Sequence, residues 1–265
     1  MDDNLFNEEV KEEYIVSSLV RGLQILSTFT RARPVLKVSD IAEITGFNQA
    51  TVFRFVYTLE KLGYLSKDEG TKQYRQSVRM ISLGLPAREG IAVLDISLPN
   101  MMDLSKAVNE SVRLAVLDGS EIVTIGVAEI PERLYFRTRI GERAPALSMA
   151  LGKVLFAFQP YDSLDSLFSK YDSKGNNGFA SVDLEKVREE LSQIQKQGYS
   201  IQDGELIPGL SSIAAPIFNF NNEIIAAIDI SGLSSDILEP RKKELFINEL
   251  VKNASKISVR LGQVQ

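Results

Sequence analysis

Apolar positions recur with a helical period through the first quarter of the chain. From Ser17, the residues Leu19, Leu23, Ile25, Leu26 and Phe29 fit one helix face, with Arg21 and Gln24 on the exposed side. Pro34 stops that helix, because proline cannot continue it and biases Arg33 to extended geometry. Val35, Leu36 and Val38 then predict a short extended approach. Ser39 is placed to cap a second helix, with Asp40 at its positive end, Ile41, Ala42 and Ile44 inward, and Gly46 in the closing turn. Asn48 is placed to cap a third, over Gln49 to Leu62, whose inner face is Val52, Phe55, Val56, Leu59 and Leu62. Gly63 closes it. Tyr64–Ser66, the polar turn Lys67–Lys72 and Gln73–Arg75 read as a β-hairpin.

The remainder mixes periods of two and 3.6. Val78–Ile96 is helical in period, interrupted at Pro86, and reads as a linker. Met102, Leu104, Ala107 and Val108 predict a helix after Pro99. Strands follow at Val112–Leu117, Glu121–Val127 and Leu134–Ile140. A helix at Ala146–Phe158 contains Gly152, which permits close approach; Asp162–Ser169 reads as helix and Ser173–Gly178 as loop. Leu184–Gln197 is an amphipathic helix, and Tyr199–Gln202, Ser212–Phe218 and Ile224–Ile230 read as strands before a final helix, Arg241–Leu261. This is an α+β pattern around a mainly antiparallel sheet. The expected organisation is an acidic tail at 1–13, a helical domain with a hairpin at 14–78, a linker helix at 79–98 and a larger domain at 99–265.

Charge sharpens the first of these domains. The overall net charge of −5 hides a block, residues 14–79, with ten bases and five acids. Three short helices and a hairpin in a basic block are the order of a winged helix-turn-helix, in which the third helix enters the DNA major groove. Arg54 suits bidentate pairing with guanine, Gln49 pairing with adenine, and Thr51 a phosphate or a thymine methyl. Arg75 and Lys72 on the hairpin, and Arg21, suit phosphates. Phe53 is a large aromatic on the supposedly wet face. With Ser39 and Ala50 these form the expected DNA face. The competing reading is a small helical domain with a solvated polar side.

Composition removes whole chemistries. The chain of 265 residues has no Cys, no His and no Trp. Disulfides, thiol or His-dependent nucleophiles and Cys- or His-ligated metals are therefore excluded. The sequence gives no reason to expect a metal or other cofactor, a bilayer-spanning run or a secretory signal, so a cytoplasmic location is expected. Gly152-Lys153 lacks the rest of a phosphate loop, and the acid pairs Glu129/Glu132 and Asp203/Glu205 carry no signal by spacing alone. A binding protein is expected rather than an enzyme; the alternative is a small-molecule-processing enzyme with an amino-terminal interaction module. Asp229 and Ser231 share one strand face and interrupt an apolar run, so Asp229 either faces a cavity or bonds a loop at the strand edge.

Three stretches carry a resemblance: Leu19-Val20-Arg21-Gly22-Leu23-Gln24-Ile25-Leu26, Asp40-Ile41-Ala42-Glu43-Ile44-Thr45-Gly46, and Ala50-Thr51-Val52-Phe53-Arg54 through Leu62-Gly63-Tyr64. Leu114–Gly119, Arg139–Pro145, Leu151–Leu155, Gln197–Tyr199 and Gly209–Pro216 continue it in order. The chain resembles the IclR family of bacterial transcriptional regulators from about Ser17 onward. The resemblance implies a winged helix-turn-helix joined by a linker helix to a GAF-like effector domain, and homodimers or dimers of dimers on a palindromic double-stranded operator. It also implies a small organic acid effector, whether sugar acid, keto acid or aromatic acid. Effector contacts would fall at Phe136, Ala144, Met149, Ala150, Leu151, Leu210, Ser212, Asp229 and Ser231, near Gln202 and Asp203, with Arg143 counted among them. The family commonly has Cys where Ser212 stands and Ser or Asn where Asp229 stands. Asp229 is thus expected to pair with Arg137 or Arg143, or else to signal a ligand that is not a plain carboxylate.

Overall fold

The computed structural model describes residues 14–30, 32–83, 92–130, 138–159 and 184–263. The chain divides into two compact units, Met1–Ala87 and Arg88–Gln265. Of the expected strand Leu134–Ile140, residues 134–137 lie outside the described residues and 138–140 are not in a strand; the helix at 162–169 and the loop at 173–178 also lie outside the described residues, as do Phe136 and Arg137.

The first unit begins with helix α1 (Ser17–Ser27), the two-residue strand β1 (Val35–Leu36) and helices α2 (Val38–Thr45) and α3 (Gln49–Lys61). Strands β2 (Leu65–Lys67) and β3 (Tyr74–Gln76) form the hairpin, and β1 adds to it antiparallel in the order β1-β3-β2. Ile25, Phe29, Leu36, Ile41, Val52, Val56, Leu65 and Tyr74 make its core. Asn48 caps α3 as expected: its Oδ1 accepts the Thr51 N–H at 2.8 Å.

Three local expectations are corrected. Leu19 and Leu23 are more than half exposed, because α1 turns Ile25 inward instead. Leu62 also lies outside the core, at the C-cap of α3, just over half exposed. Ser39 does not cap α2. The N-cap is Lys37, two residues earlier, and Asp40 in the first turn accepts the Lys37 N–H at 2.8 Å.

The second unit opens with α4 (Ala92–Val108), a single helix that runs through Pro99 where the sequence suggested a change of element. Proline there removes one hydrogen bond, to the carbonyl of Asp95, and leaves the rest of the helix to be held by packing of Leu94, Met101 and Leu104. Strands β4 (Ser111–Asp118), β5 (Glu121–Ala128) and β6 (Arg143–Pro145) follow. After a 3₁₀ turn at Ala146–Ser148 come α5 (Ala150–Ala157) and α6 (Leu184–Gln197). Strands β7 (Ser200–Asp203), β8 (Leu210–Phe218) and β9 (Ile224–Leu233), the single turn α7 (Ser234–Ile237) and the long α8 (Pro240–Arg260) complete it.

The six strands form one antiparallel sheet ordered β6-β5-β4-β9-β8-β7. Alternation along the strands gives the sheet two apolar faces. Val112, Leu114, Ile213, Ile217, Ile228 and Ile230 pack under α4 and α8. Ala115, Ala214 and Ala227 face α5 and α6, and these small side chains let the largely buried α5 lie close to the sheet.

The segment expected as one helix from Ala146 breaks at Met149, whose backbone is extended. The 3₁₀ turn folds back over α5 at Gly152. A Cβ built there would stand 2.1 Å from the Ala146 carbonyl oxygen, so only glycine admits this approach.

Candidate functional site

On the first unit, the outer face of α3 exposes Gln49, Ala50, Phe53 and Arg54; Thr51 is half-buried beside its cap. Phe53 and Tyr57 stack obliquely with ring centroids 6.2 Å apart, and the Lys61 ammonium lies 5.1 Å from the Tyr57 ring. The Arg21 guanidinium lies over the Phe47 ring at 5.7 Å, which orients it beside the turn between α2 and α3. Ser39 is exposed on the first turn of α2, with its hydroxyl on Asp40 at 3.1 Å.

The hairpin is less cationic than the sequence suggested. Lys72 adopts a left-handed backbone (φ 57°), and its ammonium lies 3.2 Å from Glu69. Lys67 reaches the same carboxylate at 3.3 Å. Hydrogen bonds from these two lysines hold the Glu69 carboxyl below its ordinary range. The tip charges therefore largely cancel among Lys67, Asp68, Glu69 and Lys72, and Arg75, exposed on the middle strand, is the stronger phosphate candidate of the two expected.

On the second unit, a cavity of about 70 Å³ opens at one end of the α5 face of the sheet. Its floor comes from four neighbouring strands. Ser111 on β4 lies opposite Ser231 on β9, Ser231 opposite Ser212 on β8, and Ser212 opposite Gln202 on β7. All four side chains line the cavity, as do Ser211 and Gly232. Two residues further along the same face, Arg113 lies opposite Asp229. Arg113 and Thr138 line the cavity; Met149, Leu206, Ile207 and Leu210 supply its apolar part.

Arg113 and Asp229 form a buried ion pair. Arg113 Nε donates to Asp229 Oδ1 at 3.0 Å and Nη2 donates to Oδ2, while Nη1 lies 3.5 Å from the Thr138 hydroxyl. Burial lifts the Asp229 carboxyl above its usual range, with Arg113 opposing the rise. Arg113 is itself held above its ordinary value by Asp229, against the pull of its own burial.

The expectation for Asp229 is thereby corrected. It neither pairs with Arg143 nor bonds a loop at the strand edge. It is fully buried within the sheet and is satisfied by its cross-strand neighbour. Arg143 is likewise displaced from the expected effector site. It reaches Glu121 at 2.7 Å and Asp118 at 2.6 Å on the outer strands, because β6 pairs with β5 at the far edge of the sheet.

Of the other expected contacts, Met149, Gln202, Leu210, Ser212 and Ser231 come together around the cavity. Ala144, Ala150 and Leu151 pack in the apolar cluster around α5, and so contribute no side chain to the lining. Asp203 sits at the end of β7 and is occupied by the Ser211 and Ser234 hydroxyls, at 2.7 and 3.1 Å.

Two further features bear on the cavity. The Ser212 hydroxyl is buried and has no hydrogen-bond partner among the described residues. Residues 204–209, which bring Leu206 and Ile207 over the cavity, are tied down by Lys153. That buried ammonium donates to Glu205 at 2.7 and 2.9 Å and to Glu190 at 2.8 Å. Among the described residues no group of His, Cys, Asp and Glu could hold a metal ion.

A family model for the IclR helix-turn-helix domain matches residues 18–69, and one described as bacterial transcriptional regulator IclR C-terminal matches 87–259. The HTH-type transcriptional regulator KdgR of Escherichia coli (strain K12) is 28% identical over 252 residues, covering 95% of each chain. The HTH-type transcriptional regulator KipR of Bacillus subtilis (strain 168) is 27% identical over 246 residues, covering 92% of this chain and 97% of its own. In fold, the chain is similar to an IclR homolog from Microbacterium hydrocarbonoxydans solved with 4-hydroxybenzoate. The TM-score is 0.77 at 24% identity, over 92% of this chain and 98% of that one.

Proposed function

Because this chain belongs to the IclR family of bacterial transcriptional regulators, we propose that its first unit reads an operator through α3 and that its second unit reports a small organic acid bound in the cavity. The observation that carries the effector half is the Ser212 hydroxyl. A buried polar group without a partner costs about 1–3 kcal/mol; this one has none among the described residues and faces a cavity, which suits a partner supplied by a bound ligand. The acid's carboxylate suits the start of α5. Met149 provides no side-chain cap there, which leaves first-turn N–H groups and the positive end of the helix dipole beside the cavity. The aromatic acid in the Microbacterium relative is one member of the class to test, beside keto acids and sugar acids.

Arg54 and Gln49 would read bases, Phe53 and Ala50 would pack on thymine methyls, and Arg21, Ser39, Thr51 and Arg75 would hold phosphates, with Lys72 contributing once released from Glu69. A palindromic operator calls for two copies of α3. The exposed apolar residues Val16, at the N-cap of α1, and Leu19 and Leu23 on it, with Val78, Ile81 and Leu83, suit burial against a second copy, as homodimer or dimer of dimers. Effector binding would shift the population of arrangements of the two recognition helices. We read the protein as a non-enzyme. Its sequence has no His or Cys, and the buried amine of Lys153 is held by two carboxylates. Work on DNA suits a cytoplasmic location. No described helix is long and apolar enough to cross a membrane.

Fluorescence anisotropy with an operator selected from random duplexes tests the DNA half. Arg54→Ala is expected to weaken operator binding by about 1–3 kcal/mol and to relax selection at one position, while affinity for scrambled duplex changes little. The logarithm of affinity should fall linearly with that of salt concentration, as counterions are released from contacted phosphates. Equal affinity of the unsubstituted protein for selected and scrambled DNA would overturn the base-reading role.

A further inference from the structure

The outer face of α3 mixes aromatic rings with cations. Phe53, Tyr57 and Lys61 follow one another at four-residue spacing and so share one stripe, with Arg54 beside it. Phe53 is 51% exposed and Tyr57 49%. Arg21, Arg54, Lys61 and Arg75 are all exposed in the same unit. The hairpin lysines Lys67 and Lys72 already share Glu69, whereas these four make no ion pair among the described residues. A second copy of the same face would meet it with like charge. Its complement is an acidic chain with apolar side chains interspersed.

The protein carries such a chain. Residues 1–13 hold the acids Asp2, Asp3, Glu8, Glu9, Glu12 and Glu13 against one base, Lys11, and Leu5 and Phe6 lie between the acidic pairs. The segment belongs to the first unit and precedes α1, which packs on α3 where Gly22 meets the Phe55 ring. Thirteen residues span at most about 45 Å and α3 is about 20 Å long, which leaves about 25 Å to cross from the start of α1. One exposed ion pair contributes little. Several on one tether act together: at an effective concentration of a few millimolar, a segment with an intrinsic Kd of about 1 mM would cover the face most of the time.

Resting on the reading of α3 as the operator-facing helix, we propose that residues 1–13 dock on the outer face of α3 in the absence of DNA and that a duplex must displace them to bind. The segment stands in for the phosphate backbone. A duplex, with one negative charge per about 1.7 Å of its axis, wins the exchange, but its apparent affinity is reduced by the fraction of faces already covered.

The chain has no Cys and no Trp, so both ends of this contact can be marked uniquely in the full-length protein. Asn4→Cys carries a bimane label, and Tyr57→Trp supplies a quencher on α3. Bimane emission is expected to drop when Tyr57→Trp is present at about 50 mM salt, and to recover by about 500 mM, where the Debye length is a few ångströms. It should recover also when operator is added, and when all six acids are neutralised (Asp2→Asn, Asp3→Asn, Glu8→Gln, Glu9→Gln, Glu12→Gln, Glu13→Gln). In the unlabelled protein that neutralised form should bind operator and scrambled duplex alike about fivefold more tightly at low salt, since both must displace the same segment. Emission indifferent to Tyr57→Trp would overturn the docking, even if neutralisation tightened DNA binding, because repulsion at a distance would then account for the change. Quenching that survives saturating operator, or a DNA affinity that neutralisation leaves unchanged, would overturn the competition. If the protein binds selected and scrambled duplex equally, the base-reading role of α3 falls, and the docking still stands or falls by the quenching.

Discussion

Arg113→Met is expected to destabilise the second unit by about 3–5 kcal/mol, the range seen when one partner of a buried ion pair is removed. The cost is not the loss of the Arg113–Asp229 attraction as such. It is the carboxylate left behind, fully buried in the middle of a six-stranded sheet with its partner gone. Two controls separate these. The double variant Arg113→Met/Asp229→Leu removes both charges and should recover most of the loss, since an apolar pair of similar volume is often neutral.

The second control is pH. Asp229 already titrates above its usual range because of burial, with Arg113 opposing the rise. Without Arg113 the folded-state value climbs further, away from an unfolded value near 3.9. A carboxyl whose folded value is raised takes up a proton more readily in the folded state. Its contribution is therefore favourable below the unfolded value and is lost as pH rises through the folded one. Urea unfolding of Arg113→Met should accordingly show stability recovering as pH falls from about 7 toward about 4, relative to the unsubstituted protein. A loss under about 1 kcal/mol that does not depend on pH would show that Asp229 is not an isolated buried charge in the variant.

Gly152→Ala should also be severe, for a steric reason. The added methyl would stand 2.1 Å from the carbonyl oxygen of Ala146 and 2.4 Å from its Cα. Both are backbone atoms, so neither can swing aside. Either α5 or the 3₁₀ turn before it has to move. Overpacking of this kind costs about 1–3 kcal/mol or more and outweighs the roughly 1 kcal/mol that alanine ordinarily gains over glycine inside a helix. The displaced element begins at Met149 on the cavity wall, so effector affinity should fall together with stability. Gly22→Ala in α1 is the matched control. Its methyl would meet only the Phe55 ring, at 3.8 Å, and the same substitution there should stabilise by about 0.5–1 kcal/mol. Thermal unfolding of the two variants should move in opposite directions; movement in the same direction would contradict the close approach at Gly152.

The first unit was largely legible in the sequence because its determinants are local. Asn48, three residues before Thr51, announces the start of α3, and the period of Val52 and Val56 sets its inner face. Leu184–Gln197 was readable end to end for the same reason: a strong amphipathic period closed by Gly198. What was missed depends on contacts distant in sequence. Arg113 reads in the sequence as one position of an apolar strand, although a single charge among Val112, Leu114 and Val116 is itself a signal. Its partner lies 116 residues away. The pairing follows only from β4 and β9 being neighbours in register, which no local pattern discloses. The break at Met149 was hidden similarly, since Ala146–Phe158 is helical in composition and the fold-back exists only because Gly152 lets two backbones touch. The capping of α2 misled for a smaller reason: Ser39 and Asp40 are adjacent cap formers, and the carboxylate prevailed over the hydroxyl.

The strap formed by residues 204–209 is stitched at both ends, by Lys153 to Glu205 and by the Ser211 and Ser234 hydroxyls to Asp203. The Lys153 ammonium is buried, whereas its partners Glu205 and Glu190 are each more than a third exposed, so water reaches that stitch from the carboxylate side. Opening it would loosen the wall that Leu206 and Ile207 give the cavity, so the residence of a bound metabolite would depend on the strap as well as on the guest's own contacts.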